Sequence, residues 1–442
     1  MVAATQILFV TSEEALKIRD RVIAVPIDNP IPLEPAHPYR VHFNATTLTL
    51  WNPLPKPTDS GWSTFPDESS PLWFVHHSGT ILPAWNLFGN LFDLLTFGEE
   101  RRSSKRDQHG RFQAAYSPRR SAGLLEVPAF NEAAAALVAA CAGLHQGGTP
   151  RSILDDHCPR TVAVLSHDCD VLNGNDKWTQ MVRIFRTFQP LAQGRRPRPG
   201  NLWWAARNVV APSRYYFDNI KGMIDLESTF DFASTFYLIN GTGGRFGARS
   251  HPDLLKDVVR VSPDRWQIGM HYNYDTYLDH DRFHSQQEQL RAIVERPIST
   301  GRAHYLRFDS SQSLRFLQDF GIRCDESAGY ADSIGYRCGI GGCFQAFDVA
   351  ADSSLGIFEI PLVVMDATLE KQYGDDAIPA FRRLVRHLSC IGGAMSIVFH
   401  PGQFHNPEFP HMLGLYHRLL IELREVQAVS RGPMSLVKAI TQ

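Results

Sequence analysis

Residues 161–170 read TVAVLSHDCD, a run of apolar and β-branched residues that ends in Ser166, His167, Asp168, Cys169 and Asp170. A short apolar run closed by polar residues is the pattern of a strand buried on both faces, as in a parallel sheet. The same pattern recurs downstream in STFYLI (234–239), QIGMHY (267–272), AHYLRF (303–308), IFEIPLVVM (357–365) and AMSIVFH (394–400). Helical patterns separate these runs: DRFHSQQEQLRAIVER (281–296), SSQSLRFLQDFG (310–321), DDAIPAFRRLVRHL (375–388) and HMLGLYHRLLIELREV (411–426). Strands alternating with helices predict an α/β fold with a parallel sheet or barrel, its chemistry at the C-terminal ends of the strands.

Upstream the grammar changes. ILFV (7–10) and TLTLW (47–51) are short strand-like runs, prolines are frequent from Pro26 to Pro83, and NLFGNLFDLLTF (86–97) turns helical. After the charged stretch EERRSSKRDQHGRF (99–112), NEAAAALVAACAGL (131–144) predicts a helix stopped by Gly147, Gly148 and Pro150. The expected division is a smaller α+β domain over 1–150 and an α/β domain over 151–442.

Composition sets outer limits. Of 442 residues, 43% are hydrophobic and 20% charged, ordinary globular usage that excludes disorder of the whole chain. A net charge of −2 and no basic run beyond GRRPRPG (194–200) argue against a nucleic-acid surface. No stretch approaches the roughly 18 apolar residues of a membrane span, and no signal-like start is present, so a cytoplasmic protein is expected. The 7 cysteines form no regular framework, and Cys338 and Cys343 lack the second pair of a zinc finger.

The candidate chemistry lies at the strand ends. SHDCD brings Asp168 and Asp170 to one place, where one carboxylate can hold a metal and the other accept a proton; aspartates there can equally cap a turn. GMHYNYDTYLDH (269–280) carries His271 and, four residues on, Asp275, an imidazole and a carboxylate able to share a divalent metal or to serve an ordinary turn. GRAHYLRFD (301–309) carries Arg302, His304 and Arg307; an arginine there can fix a carboxylate by a paired hydrogen bond or form a surface ion pair. SIVFHPGQF (396–404) delivers His400, whose ordinary pKa suits a general acid. Trp203, Trp204 and Tyr215 to Phe217 are either a sugar-stacking surface or core.

In this order and position the motifs over residues 160 to about 410 resemble the polysaccharide deacetylase domain (NodB homology, carbohydrate esterase family 4), whose fold is a distorted (β/α) barrel of about seven strands. The resemblance implies a metal-dependent hydrolase that removes an N-acyl group from an amino sugar or glycan. It implies Asp168 as catalytic base, Asp170, His271 and Asp275 as metal ligands with His280 in reserve, Arg307 in the arginine motif with Arg302 competing, and His400 as general acid. Asp275 stands where the family has a second histidine. The metal implied is zinc, with iron, manganese or nickel as alternatives because two carboxylates weaken Lewis acidity.

DESAGYADSIGYRCG (325–339) and FEIPLVVMD (358–366) also resemble parts of such a domain, which implies substrate contacts for Tyr336, Arg337 and Asp366 beside Arg302 and His304. GEERRSSKRDQHGRF (98–112) resembles an accessory segment found ahead of some of these enzymes. The implied partner is a carbohydrate or small acylated amine. The alternatives are hydrolysis of another C–N amide in a small molecule, and a metal-free barrel that only binds sugar.

Overall fold

The computed structural model describes residues 39–43, 46–65, 69, 71–78, 80–135, 161–170, 172, 177–194, 196–197, 202–203, 205–206, 215–241, 246, 252–404 and 410–441. The stretches ILFV, Gly147 to Pro150 and most of GRRPRPG lie outside them, as do Trp204 and the foreseen domain boundary.

Among the described residues three sheets form, the first two small: β1 (Tyr39–Phe43) with β2 (Thr46–Leu50), and β3 (Trp62–Phe65), β4 (Trp73–His76) and β5 (Ile81–Pro83), all antiparallel. The third contains β6 (Thr161–Cys169), β7 (Ser234–Leu238), β8 (Gln267–Tyr272), β9 (Thr300–Ala303), β10 (Cys324–Asp325), β11 (Phe344–Asp348), β12 (Ser353–Glu359), β13 (Leu362–Met365), β14 (Gly393–Val398) and β15 (Val429–Ser430). Its order is β11-β12-β10-β9-β8-β7-β6-β14-β13, with β15 also on β6, and all pairs are parallel except β11 with β12. Helices Tyr215–Thr229, Pro252–Val261, His280–Val294, Ser313–Asp319 and Ala377–Ile391 come between successive strands, giving an α/β architecture whose sheet curls into a half-barrel.

The curl is visible in the side chains. Along β6 the residues alternate, as in any strand. Ala163 and Leu165 pack with apolar residues of the helices Ala377–Ile391 and Met412–Glu425, whereas Val162 and Val164 pack inward with Cys324, Phe358, Ile360 and Ala394, over Leu436 and Val437 of helix Pro433–Thr441. Ser166 and Asp168 continue the inward row, and Arg302 of β9 reaches both. Two strands, β7 and β8, separate β9 from β6 in the sheet, so the contact closes across the interior. A glycine is required at 269, where a Cβ would collide with the Tyr237 ring crossing the same interior.

Two foreseen strands differ from the observed ones. AHYLRF is not a strand: β9 ends at Ala303 and the chain turns through a 3-10 segment in which Tyr305 (φ 63°) and Leu306 (φ 51°) are left-handed. IFEIPLVVM divides at Ile360-Pro361 into β12 and β13, at opposite ends of the sheet. Proline lacks the N–H that a continuous ladder strand would need there. The helix foreseen over 131–144 is helical from 129 to 135, the last of its residues described.

The N-terminal part is sewn to the barrel. One apolar cluster runs from Leu50, Trp51, Trp73 and Trp85 through Phe97 and Phe130 to Phe236, Phe344 and Ile357. Polar contacts, some of them buried, follow the same seam. Arg337 pairs with Glu100 at 2.7 Å, Arg119 with Glu99 at 2.8 Å, and Asp332 accepts the backbone N–H groups of Ala114 and Ala115 at 2.9 and 3.1 Å. Among the described residues no helix is long and apolar enough to cross a membrane.

Candidate active site

The inward row of β6 ends in Asp168, and the chain bends at Asp170. Arg302 donates to Asp168 Oδ1 at 2.8 Å, to Ser166 Oγ at 2.8 Å and to Glu326 Oε2 at 3.1 Å. Its guanidinium lies 4.8 Å from the Tyr237 ring centre. Burial alone would raise the pKa of Asp168, but Arg302, then His271 and His400, outweigh it and hold the carboxyl at about 2. Among the described residues no arginine pairs with Asp170; burial raises its pKa, and its Oδ1 is buried with no hydrogen-bond partner among them.

His271 closes β8. Its Nδ1 donates to the Arg302 carbonyl at 3.0 Å, which turns Nε2 toward Asp168 Oδ2, 3.9 Å away. Burial, helped by the charges of Arg302 and His400, lowers its pKa to about 4, so the ring is neutral and Nε2 keeps its lone pair. His304 follows β9 directly. Its ring centre is 5.0 Å from that of His271 and its Nε2 is 3.8 Å from Asp170 Oδ2. Burial first, then His271, lowers it to about 4, and Nδ1 is buried without a partner.

His400 follows β14. Asp366, at the start of helix Asp366–Tyr373, accepts the His400 Nδ1–H at 2.8 Å and its backbone N–H at 2.8 Å. Burial opposes charge on the ring, but Asp366 and then Asp170 and Asp168 raise its pKa to about 10. It is an imidazolium at neutral pH, with Nε2 left for a substrate.

Behind this row, facing the helices, His167 links the tips of β6 and β14. Its Nδ1 meets the Phe399 carbonyl at 2.6 Å and its Nε2 meets Glu227 Oε1 at 2.7 Å. Glu227 also accepts from Ser234, Trp266 and Tyr416 at 2.8, 2.9 and 2.6 Å. Because His167 adjoins Asp168 and Phe399 adjoins His400, this buried pair fixes the spacing between those two groups.

The structure thus brings together Asp168, Asp170, His271, Arg302, His304, His400 and Asp366 from the foreseen set. Others are elsewhere. Asp275 lies in the 3-10 turn Tyr274–Thr276 and faces helix His280–Val294, where Gln286 donates to it at 3.4 Å and Arg282 is 3.8 Å away. His304 occupies the place beside Asp170 that had been expected of Asp275. His280 packs on Phe316 and Phe320, with ring centres 4.9 and 5.3 Å away.

Arg307 does not reach Asp168; it stacks on Tyr274 and Tyr277, because β9 ends before it, and Arg302 inside the strand holds the carboxylate instead. Tyr336 is buried in the helix-side core and Arg337 in the seam with Glu100, so neither is placed to touch a substrate. Trp203 is exposed and Phe217 is core. Sequence reading had missed Glu326, Glu227 and the role of His167. Glu326 stands two residues past Cys324, whose side chain packs in the interior, and strand periodicity could have flagged it.

No protein-family model and no curated protein matches the chain. Solved structures similar in chain course are of polysaccharide deacetylase type. A protein so assigned from Mycobacterium smegmatis has a TM-score of 0.41 and 16% identity, over 63% of this chain and 89% of that one. Another, from Pseudomonas aeruginosa, has a TM-score of 0.41 and 11% identity, over 64% and 91%. A CE4 family pseudoenzyme from Bacillus anthracis has a TM-score of 0.34 and 11% identity, over 66% and 73%. With TM-scores and identities this low, function has to be argued from the site itself.

Among the described residues no three His, Cys, Asp or Glu side chains are drawn into a ready-made metal cluster. What is present is a pair of neutral imidazoles beside a carboxylate with an unpartnered buried oxygen. That donor set fits a divalent transition metal in chemistry.

Proposed function

We propose that the chain is a hydrolase of an N-acyl group on an amino sugar or similar amine, assisted by a divalent metal. The observation that carries this reading is the meeting, at the C-terminal ends of β6, β8, β9 and β14, of an ionised carboxylate, two neutral imidazoles and one imidazolium. Amide hydrolysis needs those roles: a proton acceptor for water, a means of polarising the carbonyl, and an acid for the leaving amine.

Asp168 is kept ionised by Arg302 and can accept the proton of an attacking water. Its low pKa makes it a weak base in isolation, so its value is in orientation, which Arg302, itself braced on Ser166, enforces. His400 carries its proton at neutral pH and can pass it from Nε2 to the departing nitrogen, while Asp366 holds the ring by Nδ1 and stabilises its charge. Asp170, His271 and His304 would hold the metal, which when bound supplies Lewis acidity toward water and carbonyl oxygen. Zinc suits two imidazoles and one carboxylate, and replacing Asp275 by His304 removes the reason to favour a harder ion.

Elemental analysis of the purified chain tests the assignment. About one equivalent of metal is expected in the parent and in Asp275→Ala, and a loss of most of it in Asp170→Ala and His304→Ala. Release of acetate from N-acetylglucosamine oligomers should follow the metal. Retention in His304→Ala with loss in Asp275→Ala would restore the ligand set implied by the sequence.

A further inference from the structure

A small recess of about 30 Å³ opens beside His304, lined by Ala303, His304 and Arg307 and by the apolar walls of Leu278, Phe283 and Phe316. We propose that it binds a carboxylate carried by the substrate, with Arg307 as its cationic partner; this rests on the hydrolase reading above.

Arg307 is built for such a role. Its guanidinium carbon lies 4.6 Å from the Tyr274 ring centre and 4.3 Å from that of Tyr277, which fixes the plane of the donor fork. Nη1 donates to the Tyr274 carbonyl at 3.0 Å, while Nε is buried and has no acceptor among the described residues.

The nearby acids are otherwise engaged. Asp309 pairs with Arg106 at 3.2 Å and caps Ser311, and Asp275 faces Gln286 and Arg282. Among the described residues no carboxylate forms an ion pair with Arg307. A buried guanidinium donor without an acceptor costs free energy that a bound carboxylate recovers through paired, charge-assisted hydrogen bonds.

The charge balance selects the ligand. One cation neutralises a monoanion, whereas a phosphate dianion would bring a second negative charge that no other cation of the lining balances. His304 lines the same recess and stands beside Asp170, so the carboxylate sits close to the scissile amide, on either the acyl or the sugar side.

Binding by calorimetry to the full chain carrying His400→Gln, which slows turnover, tests this with two matched pairs. N-succinylglucosamine against N-butyrylglucosamine places the carboxylate on the acyl side; N-acetylmuramic acid against N-acetylglucosamine places it on the sugar side. One pair is expected to favour its anionic member about ten- to a hundredfold. Adding Arg307→Gln should collapse that preference, and Arg307→Lys, which keeps the charge but not the fork, should reduce it severalfold. Absence of any preference, or a preference unchanged in either Arg307 variant, overturns the proposal. Release of the free amino sugar from any of these four compounds by the unmodified chain judges the hydrolase reading separately.

Discussion

Arg302→Met is expected to cost about 3–5 kcal/mol of unfolding free energy and to lower activity at least about a hundredfold. Arg302 is fully buried and serves Asp168 and Glu326 together. Methionine fills much of the volume, so packing changes little. What changes is that two buried acids lose their cation. Glu326 keeps Tyr237 and Ser396 as donors and can take up a proton, whereas Asp168 is left without its orienting fork and drifts from the water it should deprotonate. Urea unfolding and acetate release measured on one preparation check both figures. An unfolding free energy within about 1 kcal/mol of the parent would show that Asp168 and Glu326 do not depend on Arg302.

The second large effect concerns His400. Removing its proton in His400→Gln should lower kcat by about 10²–10⁴ with a smaller change in KM, the range for loss of a positioned acid. The sign of its pH dependence follows from the raised pKa. An ordinary histidine titrates near 6.5, and Asp366 with Asp170 and Asp168 brings this one to about 10. The ring is therefore protonated through the neutral range, and activity should fall only as pH rises toward 10. Its contribution to folding stability is complete below about 6.5 and is lost as pH rises through about 10. Asp366→Asn keeps the shape of the contact and removes the charge, so the alkaline limb should move down toward neutrality. A limb that stays in place in Asp366→Asn would assign the alkaline group elsewhere.

How far these residues could be read from sequence depended on how local their cause was. Thr161–Asp170 was legible because β6 is buried along its whole length and ends where its polarity changes. The ends of β8 and β14 were legible for the same reason, which placed His271 and His400. The arginine motif was misassigned because AHYLRF is apolar enough to look like a strand, while the chain in fact leaves the sheet at Ala303 through two left-handed residues. That shift puts Arg302, and not Arg307, on the Asp168 carboxylate. Spacing suggested that Asp275 shares a face with His271, but the turn between them directs it to a helix. Arg337 and Tyr336 were beyond local reading altogether, since Arg337 answers to Glu100, 237 positions earlier.

The seam that contains Arg337 has a bearing on how the chain can be cut. Glu99 and Glu100 neutralise Arg119 and Arg337, and Asn131 ties Gly341 at 2.8 and 2.9 Å beside the bottom of β14. A fragment beginning near residue 151 would keep every group of the site yet strip Arg337 of Glu100, the acid it pairs with. Scanning calorimetry should accordingly show a single endotherm for the whole chain. The upstream residues are then part of the folding unit that makes the site, and engineering that treats the barrel as a portable module would discard part of its foundation.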